Sequence, residues 1–140
     1  QARLSVATLD QIASAALYTV GPEYFAAVRD EYKKRRDTLC RKLGEIPGVV
    51  FDVPGGAFYV MAALPVVDAD KFQQWLLEEF SDNGETVMMA PASGFYTTPG
   101  AGRNQVRMAY VLKKDDLDRA LIVLAKALEA YPGRVEDEGI

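Results

Sequence analysis

Gln105-Val106-Arg107-Met108-Ala109-Tyr110-Val111-Leu112 is the most strand-like stretch of this chain. In extended backbone, successive side chains point to opposite faces. Val106, Met108, Tyr110 and Leu112 then form one apolar face, the side of a core. Arg107, Ala109 and Val111 form the other. A sheet with one apolar face needs helices to cover it, and the flanking sequence supplies them. Downstream, Asp115 to Tyr131 carries Leu117, Ala120, Leu121, Leu124, Ala127, Leu128 and Tyr131 in helical register. Asp115 and Asp116 open that helix and read as its capping residues.

Upstream, Thr86 to Ala90 reads as a strand, and Pro91 to Asn104 as a loop. Before it, Asp68 starts a helix with Asp70 near its positive end. Phe72, Trp75, Leu76 and Phe80 lie on one face of this helix, at core spacing, and Asn83-Gly84 ends it. Two further strands, Val49 to Phe51 and Ala57 to Ala62, flank the turn Pro54-Gly55-Gly56. Pro47-Gly48 leads into them from a long helix, about 23–44. Its apolar stripe is Phe25, Val28, Tyr32, Leu39 and Leu43, continued by Ile46. Gly21-Pro22 separates that helix from a first one, Thr8 to Tyr18, with Leu9, Ile12, Ala13, Ala16 and Leu17 on one face. Thr8 with Gln11 has the spacing of a capping box. The order is two helices, two strands, helix, two strands, helix. It predicts an α+β layer: a small, mostly antiparallel sheet covered on one face by helices.

Composition bounds the chemistry. The chain has 140 residues, 49% apolar and 26% charged, which fits one globular domain. It contains no His, so a His-based triad or His-ligated metal is excluded. Its single Cys excludes an intrachain disulfide and argues against a zinc–cysteine site. A net charge of -4 argues against a nucleic-acid partner. Lys33 to Arg36 is flanked by Asp30, Glu31 and Asp37 and reads as a balanced exposed face. Ile12 to Val20 is too short for a membrane span and lacks the flanks of a secretion signal. Cys40 lacks an activating His and reads as a structural thiol, compatible with a cytoplasmic location. The start at Gln1 suggests a processed chain or a piece of a longer one. Residues 135–140 read as an acidic tail or as the start of missing sequence.

Arg107 is the leading candidate for chemistry. An Arg among small and apolar groups on a sheet face is a planar fork of donors with few local competitors. Two parallel N–H···O bonds from such a fork match a carboxylate. The residues alone leave two other readings open: a solvated Arg, or one paired with an Asp or Glu of the same chain. The loop Pro91 to Gly102 has the composition to cradle an anion with its amides, or to be a plain surface loop. It lacks the Lys-Ser/Thr ending of a nucleotide P-loop. Gly55-Gly56 suits either close approach of a ligand or a tight turn.

Three phrases occur together in order: Gly56-Ala57-Phe58-Tyr59, then Met89-Ala90-Pro91-Ala92-Ser93-Gly94-Phe95, then Gln105-Val106-Arg107-Met108-Ala109-Tyr110. They resemble the C-terminal small domain of the class I aminotransferases, pyridoxal-phosphate enzymes of fold type I. Tyr32-Lys33-Lys34-Arg35-Arg36-Asp37 resembles the family's long interdomain helix. Ile46-Pro47-Gly48-Val49 resembles its exit, and Tyr131-Pro132-Gly133-Arg134 its usual ending. The resemblance covers residues 1–134 and is strongest to bacterial aspartate aminotransferase-like members. It implies that Arg107 holds the substrate α-carboxylate and that Gly56, Ala57 and Phe58 are substrate neighbours. Ala92 departs from the family pattern, where Gly is common.

The resemblance also implies a pyridoxal 5'-phosphate cofactor held elsewhere. The family's Schiff-base lysine sits in a Ser-x-x-Lys context, and no Ser here has Lys at that spacing. No cofactor-binding residue is therefore assigned. The implied partners are amino acid and 2-oxo acid substrates, an N-terminal large domain, and a second copy in a homodimer. The isolated chain is then expected to be inactive. Two alternatives remain: the small domain of another fold type I enzyme, such as a β-lyase or a synthase, or a stand-alone binding or assembly module. The module would bury the first two helices well. A piece of an enzyme would instead leave Leu4, Val6 and the Arg107 face exposed.

Overall fold

The computed structural model describes residues 5–135; Leu4 and residues 136–140 of the acidic tail lie outside them. The chain divides into two compact units, one up to Glu31 and one from Tyr32. The first unit holds helix α1 (Thr8–Ala15), a short 3-10 turn (Ala16–Thr19) and the beginning of helix α2 (Pro22–Gly44). None of its described residues is buried. Leu9 is 80% exposed and Tyr18 94%, while Val6, Ile12, Phe25 and Val28 are exposed as well. Of the apolar stripe read along α2, Leu39 and Leu43 are buried, whereas Phe25 and Val28 are exposed. The capping box also fails to form: Ala7 occupies the N-cap without a side-chain bond, and Gln11 donates to the Val6 carbonyl instead (2.7 Å).

The second unit carries the sheet. Its strands are β1 (Val50–Phe51), β2 (Tyr59–Ala63), β3 (Ala90–Pro91) and β4 (Gln105–Ala109), in the order β1-β2-β4-β3, and every pair is antiparallel. Helices α3 (Ala69–Glu78) and α4 (Lys114–Ala130) join the second half of α2 in the core. Val60, Ala62, Val106 and Met108 meet Leu39, Leu43, Phe72, Leu76, Leu124 and Leu128 there. The α+β layer expected from the sequence is thus present. Cys40 lies in this core, and burial pushes its thiol pKa up, in keeping with a structural role.

Several boundaries move for identifiable reasons. β2 begins at Tyr59 and not at Ala57, because Ala57 adopts φ 58°, which breaks the extended path. The left-handed position of this turn thus falls on Ala57 rather than on Gly55 or Gly56. β4 ends at Ala109, where β2 runs out; Val111 and Leu112 are half-exposed, and Arg35 takes the Val111 carbonyl (2.5 Å). α3 stops at Glu78, and the amides of Glu79 and Phe80 both fold back onto the Trp75 carbonyl. Asn83 and Gly84 then make a separate reversal.

The stretch from Thr86 pairs as a strand only at β3. Gln73 replaces a strand neighbour before it, accepting from the Met89 amide (2.8 Å) and donating to the Val87 carbonyl (3.4 Å). α4 tethers the preceding reversal, where Lys126 and Arg119 both bind Asp82 and hold its carboxyl below the usual carboxylate range. Asp115 and Asp116 sit in the first turn of α4, where they favour the dipole. They do not cap it, because the N-cap is Lys113. Arg36 of the basic run also proves more than a solvated charge: it donates to the Pro54 carbonyl (3.2 Å) and pairs with Asp37.

Tyr110, 1% exposed, reaches out of this core toward the Ala57 turn. Its hydroxyl donates to the Ala57 carbonyl (2.9 Å), with the Gly56 carbonyl at 3.3 Å, and its amide donates to the Phe58 carbonyl. Tyr110→Phe is expected to destabilise the fold by about 1–2 kcal/mol, because it leaves those carbonyls without their donor. Urea unfolding measures this, and an unchanged midpoint would show that the hydroxyl does not hold the turn.

Candidate functional site

β4 is an inner strand, so Arg107 is flanked on both sides. Its register partners are Met61 on β2 and Ala90 on β3. Val106 and Met108 point into the core, and by alternation Arg107 points to the opposite, open face. There it is half-buried. Two aromatic rings lie against it. The guanidinium carbon is 4.4 Å from the Tyr59 ring centroid and 4.9 Å from that of Phe95. Both distances are within the range of cation–π attraction, worth about 0.5–1 kcal/mol each at exposed sites. Arg107 has no hydrogen bond or ion pair among the described residues. Its donors are therefore open to a ligand.

Tyr59 reaches this place because it lies two residues before Met61 on the same strand face. Phe95 ends a 3-10 turn (Ser93–Phe95) that follows β3. That turn is fixed from both sides. The Ala92 amide donates to the Gln105 carbonyl (2.8 Å), and Ser93 Oγ donates to Asp70 (2.8 Å). Ala92 itself is fully buried, so its methyl group is accommodated where the family pattern favours Gly.

The same loop closes at Gly102, which has φ +67°. A Cβ there would run into the Tyr96 ring and lie 3.2 Å from the Ala92 carbonyl oxygen. Gly102→Ala is accordingly expected to destabilise the fold by about 1–3 kcal/mol, from backbone strain together with the clash. Adding Tyr96→Ala should relieve the clash and leave the strain. Chemical denaturation of both variants checks this, and a neutral single variant would refute it.

Part of the loop that offers a candidate anion cradle is already engaged internally. The amides of Ala92, Phe95, Tyr96, Ala101 and Gln105 turn inward onto backbone carbonyls. The hollow beside the loop is lined by Asp68 and Asp70, which repel an anion, and Arg103 is paired with Asp68. Of Gly56, Ala57 and Phe58, only Phe58 is linked to the Arg107 cluster among the described residues; the Gly56 and Ala57 carbonyls accept from the Tyr110 hydroxyl instead. Phe58 packs on Tyr59 at 4.3 Å between centroids, and Tyr59 in turn lies on the guanidinium. Among the described residues, no group of His, Cys, Asp and Glu is placed to hold a metal, and no helix is long and apolar enough to cross a membrane.

The donors on the open face fit a carboxylate and do not fit an aldehyde cofactor. Every lysine lies on α2, α3 or α4, or at the α4 N-cap, and none is on the strands or loop that carry the Arg107 cluster. Lys42, Lys114 and Lys126 are ion-paired. A pyridoxal group would have to be held by residues other than those described.

The family described as "Aminotransferase class I and II" matches residues 3–124. An aspartate aminotransferase of Pyrococcus horikoshii is 32% identical over 104 residues, covering 73% of this chain and 25% of that protein. Another, from Bacillus subtilis, is 30% identical over 131 residues, covering 89% of this chain and 31% of that protein. The solved alanine aminotransferase of Pyrococcus furiosus superposes with a TM-score of 0.71 at 25% identity, over 86% of this chain and 30% of the other. The chain thus spans about a quarter to a third of the length of these relatives.

Proposed function

Because the chain belongs to the class I and II aminotransferases, we propose that it is the substrate-gripping small domain of an amino acid:2-oxo acid aminotransferase of the aspartate aminotransferase-like kind. The family depends on pyridoxal phosphate, which supplies the electron sink of the reaction. This chain contributes binding and orientation. One observation carries the reading: Arg107 stands on the open face of an inner strand, held by rings, with no acid of the described residues occupying it. A bidentate pair with the α-carboxylate fixes the position of Cα and the direction of its C–H bond, which turns a loose encounter into an oriented one.

Arg107 is the single cation on β2, β3 and β4. These strands therefore bind the carboxylate common to all amino acids, and side-chain choice is made elsewhere. In this reading the complete enzyme is a cytoplasmic homodimer, and residues outside 1–134 hold the cofactor. The test compares the complete polypeptide with the 140-residue chain, each supplied with pyridoxal phosphate, an amino acid and a 2-oxo acid. Transamination is expected from the first and none from the second. Turnover by the isolated chain would overturn the division of labour, and an inactive complete polypeptide would overturn the reaction.

A further inference from the structure

The Arg107 cluster contains an arrangement that the carboxylate grip by itself does not require. A protein has two ways to fix an arginine on a sheet face. A neighbouring Asp or Glu holds it firmly, but occupies the N–H donors that a substrate needs. An aromatic ring attracts the charge through its quadrupole and leaves those donors free. Here the second solution is used twice, from two separate elements: Tyr59 on β2 at 4.4 Å, and Phe95 from the turn after β3 at 4.9 Å.

We propose that Tyr59 and Phe95 are positioning residues for the carboxylate grip, holding the Arg107 guanidinium ready without consuming its donors. The proposal rests on the functional reading above and deepens it. A free Arg side chain loses rotamer freedom when it captures a ligand, and this opposes binding. The rings impose that loss before the substrate arrives. Their anchoring supports the role: Tyr59 is locked in the β2–β4 ladder opposite Ala109, and Phe95 is fixed through the Ala92 and Ser93 hydrogen bonds.

The experiment measures kcat, KM and kcat/KM for amino acid substrates in the complete polypeptide. Tyr59→Leu and Phe95→Leu are each expected to lower kcat/KM about twofold to fivefold, the size of one cation–π contact, mainly through KM. Tyr59→Phe and Phe95→Tyr keep a ring and should retain the affinity. The decisive step repeats the Leu substitutions in an Arg107→Gln background, which has no cation to hold. There the ring losses should change kcat/KM by less than about twofold.

An equal loss in both backgrounds would overturn the proposal, because the rings would then act on the fold or directly on the substrate. No loss in the Arg107 background would overturn it as well. If Arg107→Gln alone leaves kcat/KM unchanged, the carboxylate grip itself fails, a result separate from the ring effect. Phe95→Leu alters an exposed position, so this arm remains readable even if Tyr59→Leu compromises folding.

Discussion

Arg107→Leu in the complete polypeptide is expected to lower kcat/KM for amino acids and 2-oxo acids by about 10²- to 10³-fold. That magnitude is typical when one partner of a desolvated, hydrogen-bonded charge pair is removed and the other is left unmatched. Arg107 has no partner of its own among the described residues, so its removal disturbs no internal ion pair. The fold should therefore survive, and cofactor content should stay near its original level. Arg107→Lys separates charge from shape. The ammonium keeps the charge but loses the planar fork, so an intermediate loss of at least about tenfold is expected. Steady-state kinetics together with the cofactor absorbance of the purified protein make the measurement. Unchanged KM and kcat in Arg107→Leu would refute the role. Equal rates for the Lys variant and the parent would show that the charge suffices and the fork does not matter.

The second large effect concerns the fold. Phe72→Ala is expected to destabilise the chain by about 3–5 kcal/mol, out of a total of about 5–15 kcal/mol for a domain. Phe72 is 0% exposed on α3. Its ring lies edge-on to Tyr131 at 4.9 Å and stacks with Trp75 at 6.2 Å. Truncation thus removes buried area, opens a cavity and separates α3 from the end of α4. Phe72→Leu fills most of the volume and should cost less than about 2 kcal/mol. Equilibrium urea unfolding of both variants supplies the numbers. A loss below about 1 kcal/mol for Phe72→Ala would mean that α3 does not close the core as described.

The boundaries that moved show how local pattern and tertiary contact divide the task. Alternation along Gln105–Ala109 specified which side chains enter the core, because a one-residue slip would bury Arg107. Helical spacing in α4 likewise placed Leu117, Leu121, Leu124 and Leu128 inside. The edges were less legible. Ala57 at φ 58° is held by Tyr110, a residue fifty-three positions away, and no local preference of Ala announces that conformation. The strand expected from Thr86 shrank to β3 because Gln73 supplies the hydrogen bonds a neighbouring strand would have made.

The site divides in the same way. Arg107 could be singled out from its own strand, since period-two alternation places it opposite the core residues. Tyr59 was within reach of the same argument once β2 is read as a strand, because it shares a face with Met61. Phe95 was not, since an irregular loop has no periodicity from which to read a direction. By itself the sequence determined the order of the elements and the core residues of β4 and α4, because these follow from spacing along a single segment; it set Arg107 opposite the core and left open whether a carboxylate, solvent or an acid of the same chain meets it. Only the tertiary structure decided what surrounds that arginine. Two rings from separate elements hold it where an acid might have stood, and that depends on strand register and loop closure, which join residues far apart in the chain.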